Sequence, residues 1–300
     1  MSEIRAETVV RASNASGPER TPLWLRGWSI EAVLPDAATV QTVGGILEPG
    51  TDVYLSAIAR VPDKDQLASA AALRDAGLSP VLHLAARKFS CEQELADMLG
   101  EAELRAGVRN CLVVAGDISA ARGPFASSLD LISSAAFAGS NIERVGLAGY
   151  PEGHPFVDDS QRSLLLAEKV LAARGSGKEP YVVSQFCFDA TRILHWLSWL
   201  RTLEPKLPVR LGIAGPANAA SLMKLSLRCG VDTPSAGNRQ TPPSFHSAGP
   251  DRVISDLEAG LKSLHERGPL QLHIYSFGAF ERTARWARAA QSTTEFAHAL

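Results

Sequence analysis

The sequence predicts an α/β protein built as a single (β/α)8 TIM barrel, and three observations carry that prediction. Short β-branched or apolar runs alternate with Ala- and Leu-rich helical stretches along most of the 300 residues. Alternation of this kind produces parallel strands joined by right-handed crossovers. The runs number eight, the count at which such a sheet closes on itself. No G-x-G-x-x-G follows the first run, which weighs against the open, doubly wound sheet of a dinucleotide-binding domain, the main competing architecture.

The strand-like runs, in order, are GWSIEAV (27–33), DVYLSAI (52–58), PVLHLAA (80–86), RNCLVVAGD (109–117), IERVGLAGY (142–150), PYVVSQF (180–186), PVRLGIA (208–214) and LQLHIYS (270–276). Between them, 63–77 starts with acidic residues and ends at glycine, the charge and stop signals of a helix. The stretches 91–107 and 159–175 behave alike. Residues 118–124 read as a loop over the barrel mouth. The Pro-, Gly- and Ser-rich stretch 230–250 reads as a long connection inside one domain, followed by an extra helix at 251–268 before the last strand. Residues 1–20 form a polar, mobile N-terminal tail in this reading, and 21–300 the barrel domain.

Composition narrows the partners. A hydrophobic fraction of 45% and a charged fraction of 21% are ordinary for a globular chain. A formal net charge of −2 gives no electrostatic reason to expect nucleic acid or an anionic membrane. No apolar run approaches the roughly 20 residues of a membrane span, and the first 20 residues lack the apolar core of a secretion signal. Cys91, Cys111, Cys187 and Cys229 show neither a C-x-x-C spacing nor a paired histidine, so they read as reduced, buried thiols of a cytoplasmic protein with no metal site. A homo-oligomer is compatible with this composition.

Chemistry in such a barrel collects at the C-terminal strand ends. Glu31, Ser56, His83, Asp117, Tyr150 and Gln185 fall at or near the ends of the first six runs, and Tyr275 ends the eighth. His83 and Tyr275, taken singly, suit plain core filling. An acid inside an apolar strand, Glu31, calls for a partner or a function. Buried polar groups without partners cost free energy, so seven of them aimed at one mouth point to a site. The turn GYPEGHP (149–155) carries Tyr150, Glu152 and His154 between two prolines. Fixed φ angles there would hold Tyr150 and His154 in place with little entropy left to lose on binding.

In this order the motifs resemble those of the methylenetetrahydrofolate reductases, over roughly Trp28 to Ala290. SIEAVLP resembles that family's first-strand glutamate motif, VLHLAAR its His-Leu-Thr segment, and GVRNCLVVAGD its strand ending in Gly-Asp. GYPEGHP is similar to its Tyr-Pro-Glu-x-His-Pro signature and SQFCFDA to its Gln-Phe-Phe-Phe-Asp motif. The resemblance implies FAD at the barrel mouth and interconversion of 5,10-methylenetetrahydrofolate and 5-methyltetrahydrofolate by hydride transfer at flavin N5. By matched position, Glu31 would be the general acid at folate N10, its pKa raised by burial. Asp117 would face pterin and flavin, and Gln185 and Tyr275 would join it in binding substrate. Ser56, Ala57, His83, Gly116, Ala126, Ala148, Tyr150, His154 and Lys169 would hold FAD.

Departures from the pattern qualify the electron donor. Ala57 stands where the family has tyrosine, Ala115 where it has arginine, Ala219 where bacterial members have a stacking phenylalanine, and Ala279 where they have arginine. Lost stacking weakens nicotinamide binding several-fold, so FAD and folate are expected as ligands and NADH oxidation is expected to be weak. Two other readings stay open at this point: a flavin- or folate-binding protein without turnover, and another FAD-dependent barrel dehydrogenase such as one acting on proline.

Overall fold

The computed structural model describes residues 21–58, 61–154, 157–217 and 250–299. The tail at 1–20, most of the 230–250 connection, Ala219 and Cys229 lie outside the described residues. Eight strands close a barrel in sequence order: β1 Trp28–Ala32, β2 Asp52–Leu55, β3 Ser79–Ala85, β4 Asn110–Val114, β5 Arg144–Gly149, β6 Glu179–Ser184, β7 Val209–Ala214 and β8 Leu270–Tyr275. Every neighbouring pair is parallel, and β8 closes on β1 with Glu31 opposite Tyr275. The (β/α)8 barrel expected from the alternation is therefore the fold.

Among the described residues the helices outside the barrel are α1 Ala37–Gly44, α2 Asp63–Asp75, α3 Glu92–Ala106, α4 Ser128–Ile132, α5 Ala135–Ala138, α6 Asp159–Gly175, α7 Ala190–Leu203, α8 Asp251–Leu261 and α9 Phe280–Ala299. Their ends follow local chemistry. Helix α2 opens on Asp63 and Asp65 and closes on Arg74, each charge opposing the helix dipole. Helix α3 stops at Gly107, whose φ of 58° lets its N–H reach back to the Glu103 carbonyl at 2.7 Å. Helix α8 ends seven residues before the 251–268 boundary read from the sequence. Its last turn tightens, with Lys262, Ser263 and Leu264 each donating to the carbonyl three residues back. Cys111 and Cys187 are buried free thiols as expected, but Cys91 is exposed, at the position just before α3, where its side chain makes no capping hydrogen bond.

The period of two along each strand divides the side chains between two cores. One set packs outward against the helices and forms the main apolar cluster, for example Ile30, Val53, Leu82, Val145 and Ile274. The other fills the barrel: Tyr54, Val81, Leu112, Tyr181 and Val183. Beneath them the Arg210 guanidinium lies 5.5 Å from the Tyr54 ring and 5.5 Å from the Tyr181 ring, and it pairs with Asp52. The Tyr181 hydroxyl donates its one proton to Asn110 Oδ1 at 2.8 Å, so at the 2.7 Å contact between the two hydroxyls Tyr54 is the donor. This polar floor closes the barrel below the mouth.

Candidate active site

Glu31 faces into the barrel because it alternates with the helix-facing Ile30 and Ala32. Its carboxylate accepts a hydrogen bond from Ser56 Oγ at 2.7 Å. Its Oε2 stands 3.8 Å from His83 Nε2 and 4.0 Å from His273 Nε2, beyond hydrogen-bond reach. Both Nε2 atoms are buried and have no hydrogen-bond partner. His273 Nδ1 lies 2.9 Å from Ser29 Oγ, and the Tyr54 ring packs edge-on against both imidazoles.

This arrangement corrects the expected protonation of Glu31. Burial alone pushes the carboxyl up, as the sequence suggested, but the facing His273 and His83 imidazoles and the Ser56 hydroxyl outweigh it and hold Glu31 below its ordinary value. Burial in turn pushes His83 and His273 below the ordinary imidazole value, against the pull of Glu31. The resting site at neutral pH is a carboxylate between two neutral imidazoles.

The other strand-end residues surround this centre. Tyr275, directly across the β1–β8 pair from Glu31, donates its hydroxyl to the Ser184 carbonyl at 3.0 Å. Gln185 follows β6, and its N–H donates to the Gly149 carbonyl at 2.8 Å. Ser56 and Ala57 follow β2 directly. Asp117 is exposed on the rim, three residues beyond β4. Ala126 stands before α4, where its carbonyl accepts from Arg87 Nε at 2.8 Å. Arg87 also donates to the Ile118 carbonyl at 3.2 Å, so one guanidinium pins the 118–124 loop.

A separate cavity of about 490 Å³ opens at the ends of β4 and β5, between them and residues of α4, α6 and α7. Gly116, Ala148, Tyr150, His154 and Lys169 line it together, as do Arg87, Arg162, Trp196 and Trp199. None of its described lining residues is acidic. Gly149, Tyr150 and His154 form one wall: the Tyr150 and His154 rings meet edge to face at 4.8 Å, and Arg162 Nη1 donates to the Tyr150 carbonyl at 3.0 Å. Glu152 accepts from Cys187 Sγ at 3.1 Å, which ties this turn to the SQFCFDA segment. Burial and the Glu152 charge push that thiol up, so it stays protonated. Burial, Lys169 and Arg162 push His154 down, and burial does the same to Lys169. Cations, backbone of small residues and flat aromatic walls suit a ligand that carries both phosphate and rings.

Of the residues read from the sequence, Glu31, Ser56 and His83 meet in one cluster, while Gly116, Ala148, Tyr150, His154 and Lys169 meet in the cavity. Ala57, Ala126, Asp117, Gln185 and Tyr275 stand around the mouth between or beside them. His273 was missed, although its place two residues before Tyr275 puts it on the same strand face. Arg87, Arg162, Trp196 and Trp199 were missed because helix and loop residues carry no strand-end signal. Among the described residues no group of three or more His, Cys, Asp or Glu side chains is placed to hold a metal ion, and no helix is long and apolar enough to cross a membrane.

The fold and these two centres define a TIM-barrel protein with a part-buried acid inside the barrel and a basic, ring-lined cavity at the ends of β4 and β5. The methylenetetrahydrofolate reductase family model matches residues 49–279, and the chain belongs to that family. Among solved structures, an uncharacterised Clostridium thermocellum protein that binds two copies of 5-methyl-5,6,7,8-tetrahydrofolic acid superposes with a TM-score of 0.61 at 11% identity, over 89% of this chain and 94% of that one. A phosphonomutase-like protein from Burkholderia cenocepacia J2315 gives 0.51 at 12% identity, over 91% and 93%. A GH18 chitinase from Pseudoalteromonas aurantia gives 0.51 at 11%, over 88% and 99%. At these identities the structural likeness establishes the barrel alone.

Proposed function

We propose that this chain is an FAD-dependent oxidoreductase that interconverts 5,10-methylenetetrahydrofolate and 5-methyltetrahydrofolate. Family membership supports a folate-related reductase, and a protein of the same fold binds 5-methyltetrahydrofolate. The observation that carries the reading is a part-buried carboxylate held inside the barrel, in a molecule that also has a basic cavity at the ends of β4 and β5 whose described lining contains no acid. Folate redox chemistry needs a proton-handling group at N10, and the pyrophosphate of a dinucleotide cofactor favours cations without a competing carboxylate.

The residues fit FAD. Lys169 and Arg162 supply positive charge for the pyrophosphate, Tyr150, Trp196 and Trp199 supply flat surfaces, and Gly116 and Ala148 let the ligand approach the backbone. When bound, FAD supplies the acceptor or donor of hydride for the one-carbon unit. The chain's own groups handle the proton. As the five-membered ring closes, N10 loses its proton and the Glu31 carboxylate accepts it; as the ring opens, the same carboxyl returns the proton to N10. The resting ionised form of Glu31 is poised for the closing direction, the oxidation of 5-methyltetrahydrofolate. Asp117 and Gln185 offer hydrogen-bonding groups to the pterin, and the Asp117 charge stabilises positive charge that develops on it. With Ala57 in place of an aromatic residue, NADH is a poor donor.

Anaerobic titration of the purified, flavin-loaded protein with 5-methyltetrahydrofolate tests this. Flavin bleaching is the expected result. A spectral shift without bleaching would mean binding without turnover, and bleaching by proline but not by folate would assign a different substrate. Glu31→Gln is expected to lower the rate of bleaching about 10²–10⁴-fold with FAD still bound; a full rate would remove Glu31 from the chemistry.

A further inference from the structure

Among the described residues, two that are not glycine carry a positive φ: Leu34 at 41° and Phe277 at 49°. They stand just beyond the ends of the adjacent strands β1 and β8, on the side of the mouth that holds Glu31. Left-handed backbone costs free energy in any residue with a Cβ, and it persists where the surroundings over-determine it. At Phe277 the surroundings are aromatic. Its ring lies nearly parallel to that of Tyr275, with centroids 6.0 Å apart and planes at 16°, and the edge of Phe186 meets it at 5.0 Å. Phe186 is buried and also braces Tyr275 at 5.6 Å. The Tyr275 hydroxyl is in turn anchored on the Ser184 carbonyl. The strained turn thus holds a partly exposed ring on top of a fixed aromatic stack.

Register gives the level of that ring relative to Glu31. Tyr275 is level with Glu31, so Phe277 sits two residues further toward the mouth on the neighbouring strand's exit. In the folate reading, on which this step rests, N10 exchanges its proton with Glu31. N10 is bonded directly to the p-aminobenzoyl ring, so that ring begins one bond away from the reacting nitrogen. We infer that Phe277 is a specificity-determining residue whose ring packs against the p-aminobenzoyl ring and so selects intact folates over pterins that lack it.

The test compares two ligands on FAD-reconstituted, dithionite-reduced protein by anaerobic calorimetry: 5-methyltetrahydrofolate and 5,6-dimethyltetrahydropterin, which has no aryl ring. Phe277→Gly removes both ring and strain, while Phe277→Leu keeps bulk without the aromatic face. Each is expected to weaken folate binding about 3- to 10-fold and to leave pterin binding unchanged. Equal losses on both ligands, or no loss on folate, would overturn the assignment. A wild-type protein that binds neither ligand would overturn the folate reading itself, and this assignment with it, before any variant is made.

Discussion

The tyrosine pair under the active site makes the sharpest stability prediction. Tyr181→Phe deletes one oxygen and leaves the shape of the core unchanged. That oxygen serves two bonds, the 2.8 Å donation to Asn110 Oδ1 and the 2.7 Å acceptance from Tyr54. Both partners are buried, so the variant leaves a hydroxyl donor and an amide acceptor without water or protein to satisfy them. A net bond contributes about 1 kcal/mol, and a stranded buried group costs about 1–3 kcal/mol. Tyr181→Phe should therefore lose about 2–4 kcal/mol. Tyr54→Phe should lose only about 1 kcal/mol, because Tyr181 keeps its donation to Asn110. The double variant removes the stranded Tyr54 hydroxyl as well, so it should be no less stable than Tyr181→Phe alone. Urea denaturation of the four proteins, with unchanged slopes, measures the cycle. Additive losses would refute the donor order assigned to the pair, and so would a Tyr54→Phe loss as large as that of Tyr181→Phe.

Other outcomes follow from the mouth. Ser56→Ala removes the hydroxyl that donates to Glu31, so the carboxyl rises toward its ordinary value. The acid limb of kcat/KM for 5-methyltetrahydrofolate oxidation should then move to higher pH, and an unmoved limb would exclude that bond from control of the proton. Linkage has a definite sign here. The depressed carboxyl stabilises the fold above the unfolded pKa, near 4.5, and that contribution fades as pH falls through the folded value. Ser56→Ala should shrink this acid-side stabilisation in melting curves taken across pH. Gly149→Ala would bring a Cβ to 2.6 Å from Trp196 Cζ2 and 2.7 Å from Val182 Cγ1. Overpacking of this kind costs about 1–3 kcal/mol, and because Trp196 lines the cavity, flavin retention on gel filtration should fall with it. Wild-type stability and full flavin content in this variant would contradict the packing described.

Periodicity and local chemistry determined the architecture without help from the fold. Eight apolar runs separated by helix signals left little choice but a closed parallel barrel, and the strand-end positions of Glu31, Ser56, His83 and Tyr150 followed from counting along each run. These features are local in the chain, as are the caps and the proline turn, so a linear reading reaches them. The protonation of Glu31 was decided only in three dimensions. Burial is legible as an acid in an apolar strand, but the groups that oppose burial come from the residue after β2, from β3 and from β8, up to 242 positions away in the case of His273. The cavity's cations on α6 and the stack that seats Phe277 also exist only once the sheet has closed. Electrostatics and packing act through space between side chains, and barrel closure brings the first and eighth strands together, which separation along the chain gives no means of weighing.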